Sequence, residues 1–151
     1  MPVYLFDSSA LGKYYHPEDG SAEVIRLVQE STTRRVVSRL TITESYSVFA
    51  RKMRTGAIDE DEFARLWQQF EVDVGQKLFE IVRIIESHHA EAERLLRKYA
   101  RRSLRTSDAL QLAIALDVHR RTTLNQFVCA DTRLCEIAAE EQLSVFNPAP
   151  S

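Results

Sequence analysis

Four acids occupy positions where acids can do chemistry. Asp7 directly follows the apolar run Val3–Phe6, and Asp131 directly follows Phe127–Ala130; both runs read as buried strands. Glu44 and Asp108 each fall in the opening turn of an expected helix. In an open parallel α/β sheet, strand C-termini and helix N-termini share one edge, where ligands bind. The four residues can therefore converge although they are scattered along the whole chain. Two carboxylates about 4 Å apart repel by roughly 1 kcal/mol in water and about 4 kcal/mol at an effective dielectric near 20. Such a cluster calls for a counter-cation, and all-oxygen ligation suits Mg2+ or Mn2+. One or two such ions would polarise a phosphodiester, generate hydroxide from bound water and stabilise the leaving oxygen.

Each acid also has a plainer reading. Thr41-Ile42-Thr43-Glu44 has the spacing of a capping box, in which Glu44 would only satisfy a backbone N–H. Asp108 in a first turn favours the helix dipole, and Asp131 fits an N-cap. For these three residues, capping stands beside metal binding. Asp7 is different, because it emerges from the centre of the expected sheet, and there the functional reading leads.

The elements that must position these acids alternate between strand and helix. Val3–Phe6, Arg35–Ser38, Leu78–Ile84, Phe127–Ala130 and Ser144–Phe146 read as strands. The helices begin with a short one that Ser8-Ser9 would cap and Pro17 would end. Others are expected over Ser21–Ser31, over Thr43–Arg54 with Gly56 closing it, and from Asp59 along the stripe Phe63, Leu66, Trp67, Phe70 and Val74. Ser87–Ala100 is amphipathic, with Ala92, Leu95, Leu96 and Tyr99 on one face. Thr106-Ser107 would cap a helix whose body, Ala109–Leu116, is apolar nearly all round and so buried; Thr132–Glu140 is the last helix. This pattern means an α/β domain with a small, mainly parallel sheet. With no repeat or linker in the sequence, one domain is expected over 1–151.

At the four acids the sequence resembles a PIN domain, specifically the VapC-like toxins of toxin–antitoxin pairs. Val3-Tyr4-Leu5-Phe6-Asp7-Ser8-Ser9-Ala10-Leu11 is similar to the first motif of that family, and Ser38-Arg39-Leu40-Thr41-Ile42-Thr43-Glu44 to the second. Thr106–Ala115 is similar to the third, and Phe127–Leu134 to the fourth. The resemblance implies a PIN-like three-layer sandwich and a metal-dependent endoribonuclease using Mg2+, or Mn2+ as a substitute. It implies Asp7 and Asp108 as direct metal ligands. Glu44 and Asp131 would act through water, and Ser8 would support the site by hydrogen bonding. It also implies a homodimer held inactive by a cognate antitoxin. One departure stands out: Cys129 occupies a position where the family often has Ser or Thr.

Charge and composition bound the alternatives. The net charge is −2, so the molecule as a whole is not a basic nucleic-acid binder. Arg94, Arg97, Lys98, Arg101, Arg102 and Arg105 nonetheless form a basic stripe that ends just before Asp108. In this reading Arg97, Lys98, Arg101 and Arg105 contact RNA; the plainer reading is a solvated helix face. No apolar run is long enough to span a membrane, and the N-terminus lacks a signal peptide's basic region. Two cysteines make no disulfide framework, so a reduced, cytoplasmic protein is expected. His88-His89 reads as a surface site at a helix start, and Trp67 as core or dimer contact. The competing function is a catalytically inactive PIN-like module that binds RNA or antitoxin.

Overall fold

β1 (Val3–Phe6) is the central strand of a five-stranded sheet in a computed structural model that describes residues 1–150. β2 (Arg34–Ser38) and β3 (Glu80–Val82) lie on one side of it, and β4 (Gln126–Val128) and β5 (Val145–Phe146) on the other. Every pairing is parallel, with Leu5 opposite both Val36 and Phe127. The chain therefore walks outward from β1 to β3, then returns to lay β4 against the other flank of β1. The order reverses between β1 and β4, and the crevice beyond the C-terminal ends of such strands is where α/β sheets bind ligands.

Helices cover both faces of the sheet. α1 (Ser8–Tyr15), α2 (Ser21–Gln29), α3 (Arg39–Arg54) and α4 (Glu60–Gly75) pack against Phe6, Val37 and Val128. α5 (Glu86–Lys98), α6 (Thr106–Thr122) and α7 (Thr132–Glu140) pack against Val3, Leu5, Val36 and Phe127. Successive strand residues thus enter opposite cores, as a period of two requires, and both faces are apolar. This is the expected three-layer α/β sandwich, and the sheet is wholly parallel. The body of α6 from Ala109 to Leu116 is buried throughout, in keeping with its all-round apolar sequence. No helix among the described residues is long and apolar enough to cross a membrane.

The boundaries differ from expectation where a side chain takes over the backbone. α3 starts at Arg39 rather than Thr43, because the Ser38 hydroxyl caps it by accepting from the Thr41 amide at 3.0 Å. Glu44 consequently lies beyond the first turn, and the capping box expected at Thr41 and Glu44 does not form. β4 ends at Val128 rather than Ala130, whose amide turns aside to donate to Ser9 Oγ at 2.9 Å. β3 shrinks to three residues at the sheet edge. Gly56 sits at φ 80° and closes α3, a left-handed conformation that glycine adopts without a Cβ clash.

His88 is a further correction. It is not a surface group but only 2% exposed, with Nε2 2.8 Å from Asp117 Oδ2. Its Nδ1 accepts from the Ile85 amide at 3.1 Å and so caps α5. The neighbouring His89 is exposed.

Candidate active site

Asp7 leaves the central strand and becomes the N-cap of α1, with Oδ1 accepting from the Ala10 amide at 3.0 Å. The Ser9 hydroxyl donates to the same oxygen at 2.7 Å. Oδ2 is left free by the Ser9 and Ala10 groups that hold Oδ1. Asp131 caps α7, with Oδ1 accepting from the Arg133 and Leu134 amides at 3.0 and 3.3 Å. Asp108 reaches back to the Arg105 amide, Oδ2 accepting at 3.3 Å. Three of the four acids therefore cap helices, as their spacing allows, and capping uses only part of each carboxylate's accepting capacity.

All four acids line one cleft of about 290 Å3. Ser8, Ser9, Ser47, Arg51, Arg105 and Ser107 complete most of its wall. Glu44, Ser47, Val48 and Arg51 come from one face of α3, as steps of three and four residues along a helix dictate. Cys129 is buried beneath the cleft, its Sγ 3.9 Å from Ser9 Oγ.

Asp7 and Asp108 feel both burial and the charges of neighbouring acids. Burial pushes the Asp7 carboxyl up to about 6; hydrogen bonds from Ser9, Ala10 and Cys129 oppose this, and the Glu44 charge adds to it. Burial also raises Asp108, against the Arg105 amide hydrogen bond, with further upward pushes from Asp131 and Glu44. A cation in the cleft would reverse these penalties, because it favours the ionised form of every acid around it.

The residues present fit a hydrated hard cation. The acidic donors are all oxygen, as Mg2+ and Mn2+ prefer. No three His, Cys, Asp or Glu side chains among the described residues are drawn together into a ready-made cation cage. Mg2+ does not need one, since it keeps several waters and usually takes only one or two carboxylates.

Several residues here were not singled out in the sequence. Ser9, not Ser8, supports Asp7; both line the cleft, but only Ser9 bonds the carboxylate. With two adjacent serines, sequence cannot choose between them, because the choice depends on where β4 leaves the sheet. Arg51 stands two helical turns beyond Glu44, a spacing that could have flagged it. Gln111 is 2% exposed, and its Nε2 donates to Glu44 Oε1 at 3.0 Å. Its signal was visible: it is the one polar residue between Ala109 and Leu116.

The basic stripe divides into two sets. Lys98 pairs with Glu141 at 2.6 Å, Arg94 with Glu91 and Glu141, and Arg102 with Glu140 at 2.5 Å. Arg97 and Arg101 are exposed and make no ion pair among the described residues, and Arg105 lines the cleft. Trp67 packs on Tyr46 with ring centroids 4.3 Å apart.

Residues 4–140 match the family described as PIN domain. Solved structures share the fold at low identity. The FitAcB structure from Neisseria gonorrhoeae aligns with a TM-score of 0.68 and 16% identity over 96% of this chain and 97% of that one. Mycobacterium tuberculosis VapC20, a toxin that cleaves the sarcin–ricin loop, aligns at 0.65 and 11% identity over 87% and 92%. A toxin–antitoxin complex from Klebsiella pneumoniae aligns at 0.62 and 17% identity over 98% and 99%. No curated protein sequence matches the chain significantly.

Proposed function

The chain belongs to the PIN domain family, and from that premise we propose that it is a divalent-metal-dependent endoribonuclease, the toxin of a toxin–antitoxin pair. The observation that carries this reading is the arrival of Asp7, Glu44, Asp108 and Asp131 from separate elements in one cleft. The M. tuberculosis and K. pneumoniae neighbours, a sarcin–ricin loop cleaving toxin and a toxin–antitoxin complex, support it by analogy of fold.

Asp7 and Asp108 would hold the Mg2+ or Mn2+ ion directly, with Glu44 and Asp131 acting through water. When bound, the metal supplies Lewis-acid polarisation of the phosphodiester and a more acidic water. The chain's own groups do the rest. Ser9 fixes the Asp7 carboxylate from below. The Arg51 and Arg105 guanidinium groups line the cleft beside the acids, and their planar donor forks suit phosphate oxygens. Arg97 and Arg101 continue the positive surface along the substrate backbone, with Lys98 contributing once it leaves Glu141. We place the protein in the cytoplasm, as one PIN-like domain over 1–151, working as a homodimer restrained by a cognate antitoxin.

The competing reading is a PIN-like module that binds RNA or antitoxin without cutting. Cys129, buried beneath the cleft at a position where the family often has Ser or Thr, favours it. Induced expression in a bacterial host separates the two: growth arrest with mapped RNA breaks, both lost in Asp7→Asn, supports the nuclease. Arrest that persists in Asp7→Asn without RNA breaks contradicts it.

A further inference from the structure

We propose that Gln111 is a positioning residue that fixes the Glu44 carboxylate and sets its place relative to Asp108; this inference rests on the metal-site reading above. Gln111 follows Asp108 by three residues on α6, so the two project from nearly the same face. Both of its N–H donors and its oxygen are paired. Oε1 accepts from Ser38 Oγ at 2.9 Å, while Nε2 donates to Thr41 Oγ1 at 2.5 Å and to Glu44 Oε1 at 3.0 Å. Ser38 and Thr41 are themselves buried, and Ser38 also caps α3.

Two consequences follow. The amide cannot flip, because exchanging its oxygen and nitrogen would point a donor at Ser38 and an acceptor at the Glu44 carboxylate. Gln111 is also the side chain through which α6 hydrogen-bonds to α3 among the described residues. α3 carries Glu44 and α6 carries Asp108, so this one amide ties together the two helices that bring those acids to the cleft. Burying a primary amide in an otherwise apolar helix costs free energy unless its groups are paired, and here one partner is the acid of the site. Removing a group that orients a direct metal ligand typically costs about 10–100-fold in metal affinity, and the lower end of that range applies to Glu44, which would reach the metal through water.

The test measures Mn2+ binding by calorimetry for the wild type, Gln111→Met, Glu44→Gln and the double variant. Methionine keeps the length and removes the amide, while Ser38 and Thr41 retain each other, their hydroxyl oxygens being 3.2 Å apart. Gln111→Met is expected to weaken Mn2+ about tenfold in the wild-type background and to change nothing when Glu44 is already Gln. An equal loss in both backgrounds, or no loss in the first, overturns the positioning role while leaving the metal site standing. A wild type that binds no Mn2+ overturns the site reading and this inference with it. Should Gln111→Met fail to fold, NMR of the wild type serves instead. The Gln111 side-chain amide protons should exchange slowly and shift on adding Mg2+; rapid exchange or silence towards Mg2+ contradicts the proposal.

Discussion

The Ser9 hydroxyl donates to Asp7 Oδ1 at 2.7 Å and accepts from the Ala130 amide at 2.9 Å. One side chain thereby joins the end of β1 to the segment leaving β4, across the point where the strand order reverses. Ser9→Ala removes a hydrogen bond that favours the ionised Asp7 and strands the Ala130 N–H. The expected cost is about 1–3 kcal/mol of stability, with the Asp7 carboxyl rising further above about 6. Denaturant unfolding and a pH titration of Asp7 by carbon NMR check both.

Asp7 makes the metal-free protein pH-sensitive in an unusual direction. Burial pushes its carboxyl up to about 6 in the folded chain, against about 4 in an unfolded one. The folded state holds the proton more tightly, so this stabilising contribution is fully present below about pH 4 and is lost as pH rises through about 6. The amount at stake is on the order of 3 kcal/mol. Asp7→Asn keeps an N-cap and abolishes the titration. Without metal, the variant should melt higher than the wild type at pH 7.5, and its stability should vary less between pH 4 and 7. Added Mn2+ should stabilise the wild type and leave the variant unchanged. A variant that melts lower in the absence of metal contradicts this account of Asp7.

The two sets of arginines should behave differently towards RNA. Arg51→Ala and Arg105→Ala, together with the double substitution of Arg97 and Arg101 by Ala, should weaken RNA binding. Each lost phosphate contact should cut the salt slope by about 1. Arg102→Ala should leave both quantities unchanged, since that guanidinium is held by Glu140 and lies over the Tyr99 ring. Filter binding across a salt series measures all of these.

Gly20 gives a control far from the chemistry. It lies at φ 88°, and a Cβ there would meet the Pro148 carbonyl oxygen at 2.8 Å. Gly20→Ala should destabilise the fold by about 1–3 kcal/mol through strain and displacement of the chain end. RNA cleavage per folded molecule should not change.

The sheet and its helices were legible because their patterns are strong. Val3, Leu5 and Phe6 of the first strand are buried, with Tyr4 half-buried, and Ala109–Leu116, apolar nearly all round, is buried throughout. Asp7, Asp108 and Asp131 were legible because each stands at an element boundary, where topology alone sends them to one edge; Glu44 was singled out through a helix start that the structure moves back to Arg39, and it reaches the cleft from the second turn of α3. Contacts set by the third dimension were not. His88 looked like a surface histidine until Asp117, a residue of α6, closed over it. The register of α3 was hidden because Ser38 ends a strand and starts a helix in the same residue. Half of the basic stripe is taken up by Glu140 and Glu141 at the end of α7, pairings that no local spacing reveals.

The most direct test of the central claim is cleavage of a pool of structured RNAs by the purified, antitoxin-free protein in Mn2+, beside EDTA and Asp108→Asn controls. The account predicts discrete cuts by the wild type that vanish in both controls, with the variant still folded by circular dichroism. Cleavage that survives EDTA, or a fully active Asp108→Asn protein, would contradict it.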